Sequence, residues 1–143
     1  MPISEQHAGR CYPATAPYQV SRAKIAEFAA ALGDANPGYV GEQPIAPPTF
    51  AIVLAAAAWD AYFDDPELGV ALRRTVHGDQ RFSWQRPLRA GDEVRATLTI
   101  EKVRRRGATA FVTISVALAT TDGEQLCTSV STLVHTDEAE AAA

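Results

Sequence analysis

Within residues 33–42, GDANPGYVGE, an acid, an amide and a phenol stand inside six positions: Asp34, Asn36 and Tyr39. A plain connection needs Gly and Pro, so a carboxylate pinned just past a helix end is a candidate for chemistry. Asp34 could hold a water or take a proton, Asn36 could fix the turn, and Tyr39 offers a phenol. A second group lies in TVHGDQRFSWQRP, where strand alternation would put His77 and Asp79 on one face as a possible acid–base pair. Each residue also has a structural reading. Asp34 and Asn36 can brace the turn through local backbone hydrogen bonds, Tyr39 can pack, and His77 can sit at the surface or at a subunit contact. His7, His77 and His135 are isolated, and the chain has no CxxC, HxxxH, GxSxG or glycine-rich phosphate loop. No metal and no cofactor is expected.

These residues need elements to position them. SRAKIAEFAAALG repeats Ile25, Phe28, Ala29 and Leu32 at helical spacing, with Ser21 as N-cap and Gly33 as stop. Asp34 is therefore fixed by a helix end. PPTFAIVLAAAAWDAYF predicts a second helix with proline in its first turn, and from Phe50 to Trp59 it is apolar on every side. A helix of that kind is expected to be surrounded. Asp60, Asp64 and Asp65 return it to water.

The second half changes to period two. Val76, Phe82 and Trp84 are expected on one strand face, with His77, Asp79, Arg81 and Ser83 on the other. VRATLTIEKVR, AFVTISVALAT and QLCTSVSTLVH predict three more strands. Gly91-Asp92, Arg106-Gly107 and Asp122-Gly123 read as the hairpin turns of a four-stranded antiparallel meander. Residues 1–20 read as a loop with one short strand. An apolar helix beside a long antiparallel sheet implies an α+β hot-dog fold, with the sheet curled around the helix and a dimer continuing it.

The 143 residues suit one domain, with a core over 10–136 and a frayed tail over 137–143. A net charge of −4 excludes the basic footprint of a nucleic-acid binder. Arg104-Arg105-Arg106 reads as a solvated hairpin end, with contact to CoA phosphates or to an acidic carrier protein as the other reading. No membrane span is expected, since one takes about 20 apolar residues. Cys11 and Cys127 read as two buried thiols in a reducing, cytoplasmic setting.

GDANP resembles the signature of the MaoC-like family of R-specific enoyl-thioester hydratases and 3-hydroxyacyl dehydratases. With APPTF, VHGDQRFSWQRPL and RAGDEV, the chain is most similar to the N-terminal-type subunits of actinobacterial fatty acid synthase dehydratases, over roughly residues 10–135. The resemblance implies Asp34 as the catalytic aspartate and Asn36 as the turn-fixing amide. It also implies that the family's catalytic histidine falls on Tyr39. Tyrosine is a poor general base near neutrality, so whether the chain is itself an enzyme stays open. The resemblance implies an acyl-thioester-binding subunit of a (3R)-hydroxyacyl-ACP or -CoA dehydratase, paired with a catalytic hot-dog partner, in which Tyr39 fills the space of a lost imidazole.

Two alternatives stand beside it: a self-sufficient hydratase using Asp34 with Tyr39 or His77, and a non-enzymatic acyl-binding hot-dog dimer. A thioesterase has no placed acid on the central helix. A thioester carbonyl at the start of that helix would meet backbone N–H groups from Thr49 and Phe50 onward, because Pro47 and Pro48 have none. Asn36, Thr49 and Phe50 are thus the expected substrate contacts.

Overall fold

Ser21 starts the first helix as expected: its hydroxyl accepts the Lys24 N–H at 3.0 Å, and α1 runs Arg22–Leu32. Gly33 ends it in the left-handed region, φ 70°. Its N–H donates to Ala30 and the Asp34 N–H to Ala29, both at 3.0 Å, which is the doubly bonded stop that favours glycine. Ile25 and Ala29 are buried and Phe28 half-buried, while Leu32 lies outside on the solvent face. The computed structural model describes residues 2–139.

The second helix begins with a single 3₁₀ turn, Pro48–Phe50, and continues as α2, Ala51–Phe63. The strands are β1 (Tyr18–Gln19), β2 (Thr75–Trp84), β3 (Glu93–Arg106), β4 (Thr109–Thr120) and β5 (Gln125–Thr136). They form one antiparallel sheet in the order β1-β3-β4-β5-β2, wrapped on α2. This is a hot-dog fold. Alternation holds along β3 and β4, where Val94, Ala96, Leu98, Ile100, Val112, Ile114, Val116 and Leu118 are all buried. Each large aliphatic contributes about 1.5–3 kcal/mol, so the inner face of the sheet dominates the core.

Three expectations change. First, only β3-β4-β5 is a meander. β2 pairs with β5 at the far edge, so 85–92 is a connection across the sheet end and Gly91-Asp92 is no hairpin turn. Arg86 ties that connection down, reaching Asp92 through two bonds of 2.9 Å and Glu124 at 2.9 Å.

Second, a bulge lies between His77 and Asp79, where Gly78 has no partner on β5. An extra residue reverses the alternation before it. Val76 is consequently turned out, 67% exposed, and His77 shares the inner face with Phe82 and Trp84.

Third, α2 is not surrounded. Ala51, Leu54, Ala55, Ala58 and Tyr62 are buried, but Ala56 and Ala57 are exposed and Ile52, Val53 and Trp59 only half-covered. One apolar side of the helix faces outward.

Cys127 is buried and burial pushes its thiol up to about 11, whereas Cys11 is exposed, so only one of the two expected buried thiols is found. No helix among the described residues is long and apolar enough to cross a membrane. Ile3 is fully buried, and the Asp137 carboxylate pairs with Arg105. The expected fraying at 140–143 falls outside the described residues.

Candidate functional site

The turn after α1 is built from two side-chain-to-backbone bonds in series. The Asp34 carboxylate accepts the Asn36 N–H at 3.0 Å, and the Asn36 side-chain oxygen accepts the Gly38 N–H at 2.8 Å. The two side chains satisfy the Asn36 and Gly38 N–H groups, which open the turn ahead of its own backbone bonds. The Asn36 bond also caps a 3₁₀ turn, Pro37–Tyr39, that swings the Tyr39 ring inward, where it is 7% exposed.

A cavity of about 280 Å³ opens there, lined by Asn36, Tyr39, Ile45, Ala46, Pro48, Trp84 and Pro87. Most of its wall is apolar. The exposed Asp34 is not among the lining residues. Trp84 contributes aromatic surface to the wall, which the sequence signalled only as one aromatic in an alternating strand, and its indole N–H is shut off from solvent without an acceptor among the described residues. Ile45 and Ala46 were equally hidden, because the pairing of 44–46 with 88–90 is a contact between distant loops.

The two expected N–H donors at the start of α2 differ. The Phe50 N–H is spent on Pro47 O at 2.9 Å, and its ring is fully buried, edge-on to Phe28 at 5.3 Å. Thr49 is exposed and adjoins the cavity wall at Pro48.

His77 is not brought to this turn. It stands seven positions before Trp84 on β2, about 20 Å along the strand. Proton transfer needs heavy atoms at about 3 Å, so Asp34 and His77 of one chain do not form an acid–base pair. Nor does Asp79 orient His77, as the sequence predicted. The bulge sends Asp79 to the outer face beside Arg81, at 3.7 Å. His77 instead packs edge-on against Trp59, ring centres 5.1 Å apart, and its Nε2 meets the Gln80 side-chain oxygen at 3.0 Å. Gln80 is saturated, accepting from Ser131 at 2.5 Å and donating to Ser129 at 2.8 Å. This network knits β2 to β5.

The Arg104–Arg106 run also lies away from the cavity. Ala96 is level with Trp84 through Leu118 and Cys127, so the run ends about 30 Å further along β3. Arg105 donates to Ile3 O at 3.0 Å and pairs with Asp137, and Arg104 lies over the Phe111 ring. Those contacts are structural.

Beside that pair His135 is fully buried. Its Nε2 accepts the Ala71 N–H at 3.2 Å and its Nδ1 has no hydrogen-bond partner. Burial first, then the nearby Arg74, lowers its pKa below the usual 6.5, with Asp137 opposing. The folded state therefore favours neutral imidazole while the unfolded chain protonates near 6.5. Stability from this site is complete above that pH and is lost as the pH falls toward the lower folded value. Denaturant unfolding between pH 7.5 and 5 should show this decline, and His135→Gln should flatten it. An unchanged slope in the variant would refute the assignment. Asp92 acts in a lower window: burial raises its carboxyl, but the Arg86 fork outweighs that and holds it below the usual range, so its contribution fades only below about pH 4.

Comparison with known proteins gives a consistent picture. The model of a family described as "FAS1-like, dehydratase domain region" matches residues 6–129. The UPF0336 protein of Cutibacterium acnes is 54% identical over 136 residues, 95% of this chain and 96% of that one. The UPF0336 protein of Saccharopolyspora erythraea is 40% identical over 98% of this chain and 96% of its own. Among solved structures, a C-terminally truncated HadBC (3R-hydroxyacyl-ACP dehydratase) complex from Mycobacterium tuberculosis superposes with a TM-score of 0.79 and 27% identity, covering 90% of this chain and 96% of that one. A MaoC-like dehydratase superposes with a TM-score of 0.82 and 26% identity, covering 93% of this chain and 43% of the larger one.

Proposed function

Starting from the fact that this chain belongs to the FAS1-like dehydratase-region family, we propose that it is the acyl-thioester-binding subunit of a (3R)-hydroxyacyl-thioester dehydratase and works with a catalytic hot-dog partner. The observation that carries this reading is Tyr39. Its ring is buried and walls an apolar cavity, and the resemblance of GDANP to the family signature implies that the family's histidine falls on it.

Dehydration removes a proton from the α carbon and returns one to the departing β hydroxyl, giving the trans-2-enoyl thioester and water. One group must act as base and then as acid near neutral pH. In this chain the turn carboxylate braces the Asn36 N–H and is not among the cavity's lining residues, and His77 is distant. Tyr39, Pro48 and Trp84 give an apolar wall that suits holding an acyl thioester. The bare side of α2 and the ten-residue edge strand β2 give the partner a surface. The protein acts in the cytoplasm, as one hot-dog domain, on acyl-CoA or acyl-ACP.

Hydration of a short trans-2-enoyl-CoA, followed by loss of enoyl absorbance, tests this. The protein alone should give no turnover. Mixed with a hot-dog chain that has aspartate and histidine in its own turn, it should raise that chain's turnover, and Asp34→Asn here should change the rate less than twofold. Turnover by the protein alone that collapses with Asp34→Asn would overturn the proposal.

A further inference from the structure

The cavity holds an apolar acyl group, but the arm behind a thioester ends in phosphate, and that charge must lie outside the apolar wall. We propose that Arg89, assisted by Arg22, is the contact for the phosphate of that arm, the group shared by CoA and by a phosphopantetheine carrier protein. This rests on the acyl-thioester reading above.

The placement follows from backbone pairing. The Ala46 N–H donates to Leu88 O at 2.8 Å and the Ala90 N–H to Pro44 O at 3.2 Å, with Ile45 and Arg89 bridged between them. This is the non-hydrogen-bonded kind of antiparallel pair, whose Cα atoms stand about 4.5 Å apart with both side chains on one face. Ile45 lines the cavity, so Arg89 leaves the backbone on the cavity side, and it is exposed. Arg89 is outside the cavity wall itself, on the same face as the lining residues Ile45 and Pro87.

Its guanidinium adds to the positive charge that holds the Asp92 carboxyl low, behind the Arg86 fork. Among the described residues the Arg89 guanidinium makes no ion pair, although Arg10, Arg73, Arg74, Arg81, Arg86 and Arg105 all do. The nearby Asp92 is held by the Arg86 fork and by the Arg89 backbone N–H at 2.7 Å. Arg22 is likewise exposed and forms no ion pair among the described residues. It lines the adjoining recess with Tyr39, Val40, Gly41 and Pro44, and Tyr39 walls both hollows. Glu42, in the same loop, pairs with neither arginine. Tyr39 is the wall shared by the two hollows, and each arginine offers a planar donor fork suited to phosphate oxygens.

The probes are hexanoyl-CoA, hexanoyl-carrier protein and hexanoyl-pantetheine, which has no phosphate, with binding to the intact protein measured by calorimetry. Hexanoyl-CoA should bind about tenfold more tightly than hexanoyl-pantetheine, as for one charge-assisted contact. Arg89→Met should erase that difference for both phosphate-bearing probes and leave hexanoyl-pantetheine unchanged. Arg22→Met should weaken them severalfold, and Arg104→Met should do nothing. Equal binding of hexanoyl-CoA by Arg89→Met and the parent would overturn this proposal and leave the acyl-thioester reading standing. A loss confined to hexanoyl-CoA would overturn the shared phosphate in favour of the nucleotide end. Failure of the parent to bind any of the three would overturn the acyl-thioester reading, and this assignment with it.

Discussion

Ala56→Arg is expected to abolish pairing with a second hot-dog chain while leaving the protein folded. Ala56 sits on the exposed side of α2, with Ala57 next to it and Ile52, Val53 and Trp59 half-covered around it. Trp59, on that side, packs against His77 of β2, an edge strand of ten residues with no neighbour on its outer side among the described residues. Such an edge and ridge invite a partner. Arginine is a good helix former, so at an exposed helical position it should change folding by no more than about 0.5 kcal/mol. In an interface the same guanidinium would be buried with no partner, a cost of several kcal/mol and a loss of more than about a hundredfold in affinity. Light scattering and titration against the catalytic partner would measure it. Pairing at parental strength by a folded variant would show that the partner uses another surface.

Phe50→Ala should produce the largest loss of stability of any single truncation near the site. The ring is fully buried at the joint between the 3₁₀ turn and α2, and it meets Phe28 of α1 edge-on, with an interplanar angle of 74°. Removing it leaves a void between the two helices and deletes an aromatic pair, together about 3–5 kcal/mol. For a chain of this size the melting temperature should fall by roughly 10–17 °C. Because Pro48 belongs to the same turn and to the cavity wall, ligand affinity should fall with it. Thr49→Ala, one residue earlier and exposed, is the control and should stay within about 0.5 kcal/mol in stability. A Phe50→Ala protein within 1 kcal/mol of the parent would mean that α1 and α2 are joined by other contacts.

The difference between these two residues marks where the sequence stops being informative. Phe50 and Ala56 belong to one uninterrupted apolar run, and nothing in their types separates the buried ring from the exposed methyl. Which side of α2 is covered depends on how far the sheet closes, and the sheet closes only as far as its strand order permits.

What the sequence determined by itself is local. Ser21 and Gly33 bracket α1, so Asp34 must begin the following turn, and Asn36 before Pro37 must shape it. Period two along β3 and β4 selects the inner face without reference to any other segment. These features arise from capping and steric preferences within a few residues, which act whatever the rest of the chain does.

What the tertiary structure alone decided is non-local. Gly78 is left without a partner where nine consecutive residues of β5 pair with the ten of β2, and that one extra residue set His77 on the inner face, turned Val76 out and parted His77 from Asp79. The choice of β5 rather than β3 as the neighbour of β2, and the bridge that sets Arg89 beside Ile45, likewise link segments far apart in the chain. Strand register has a period of two and tolerates single insertions, so only the competition among whole strands for one core fixes it.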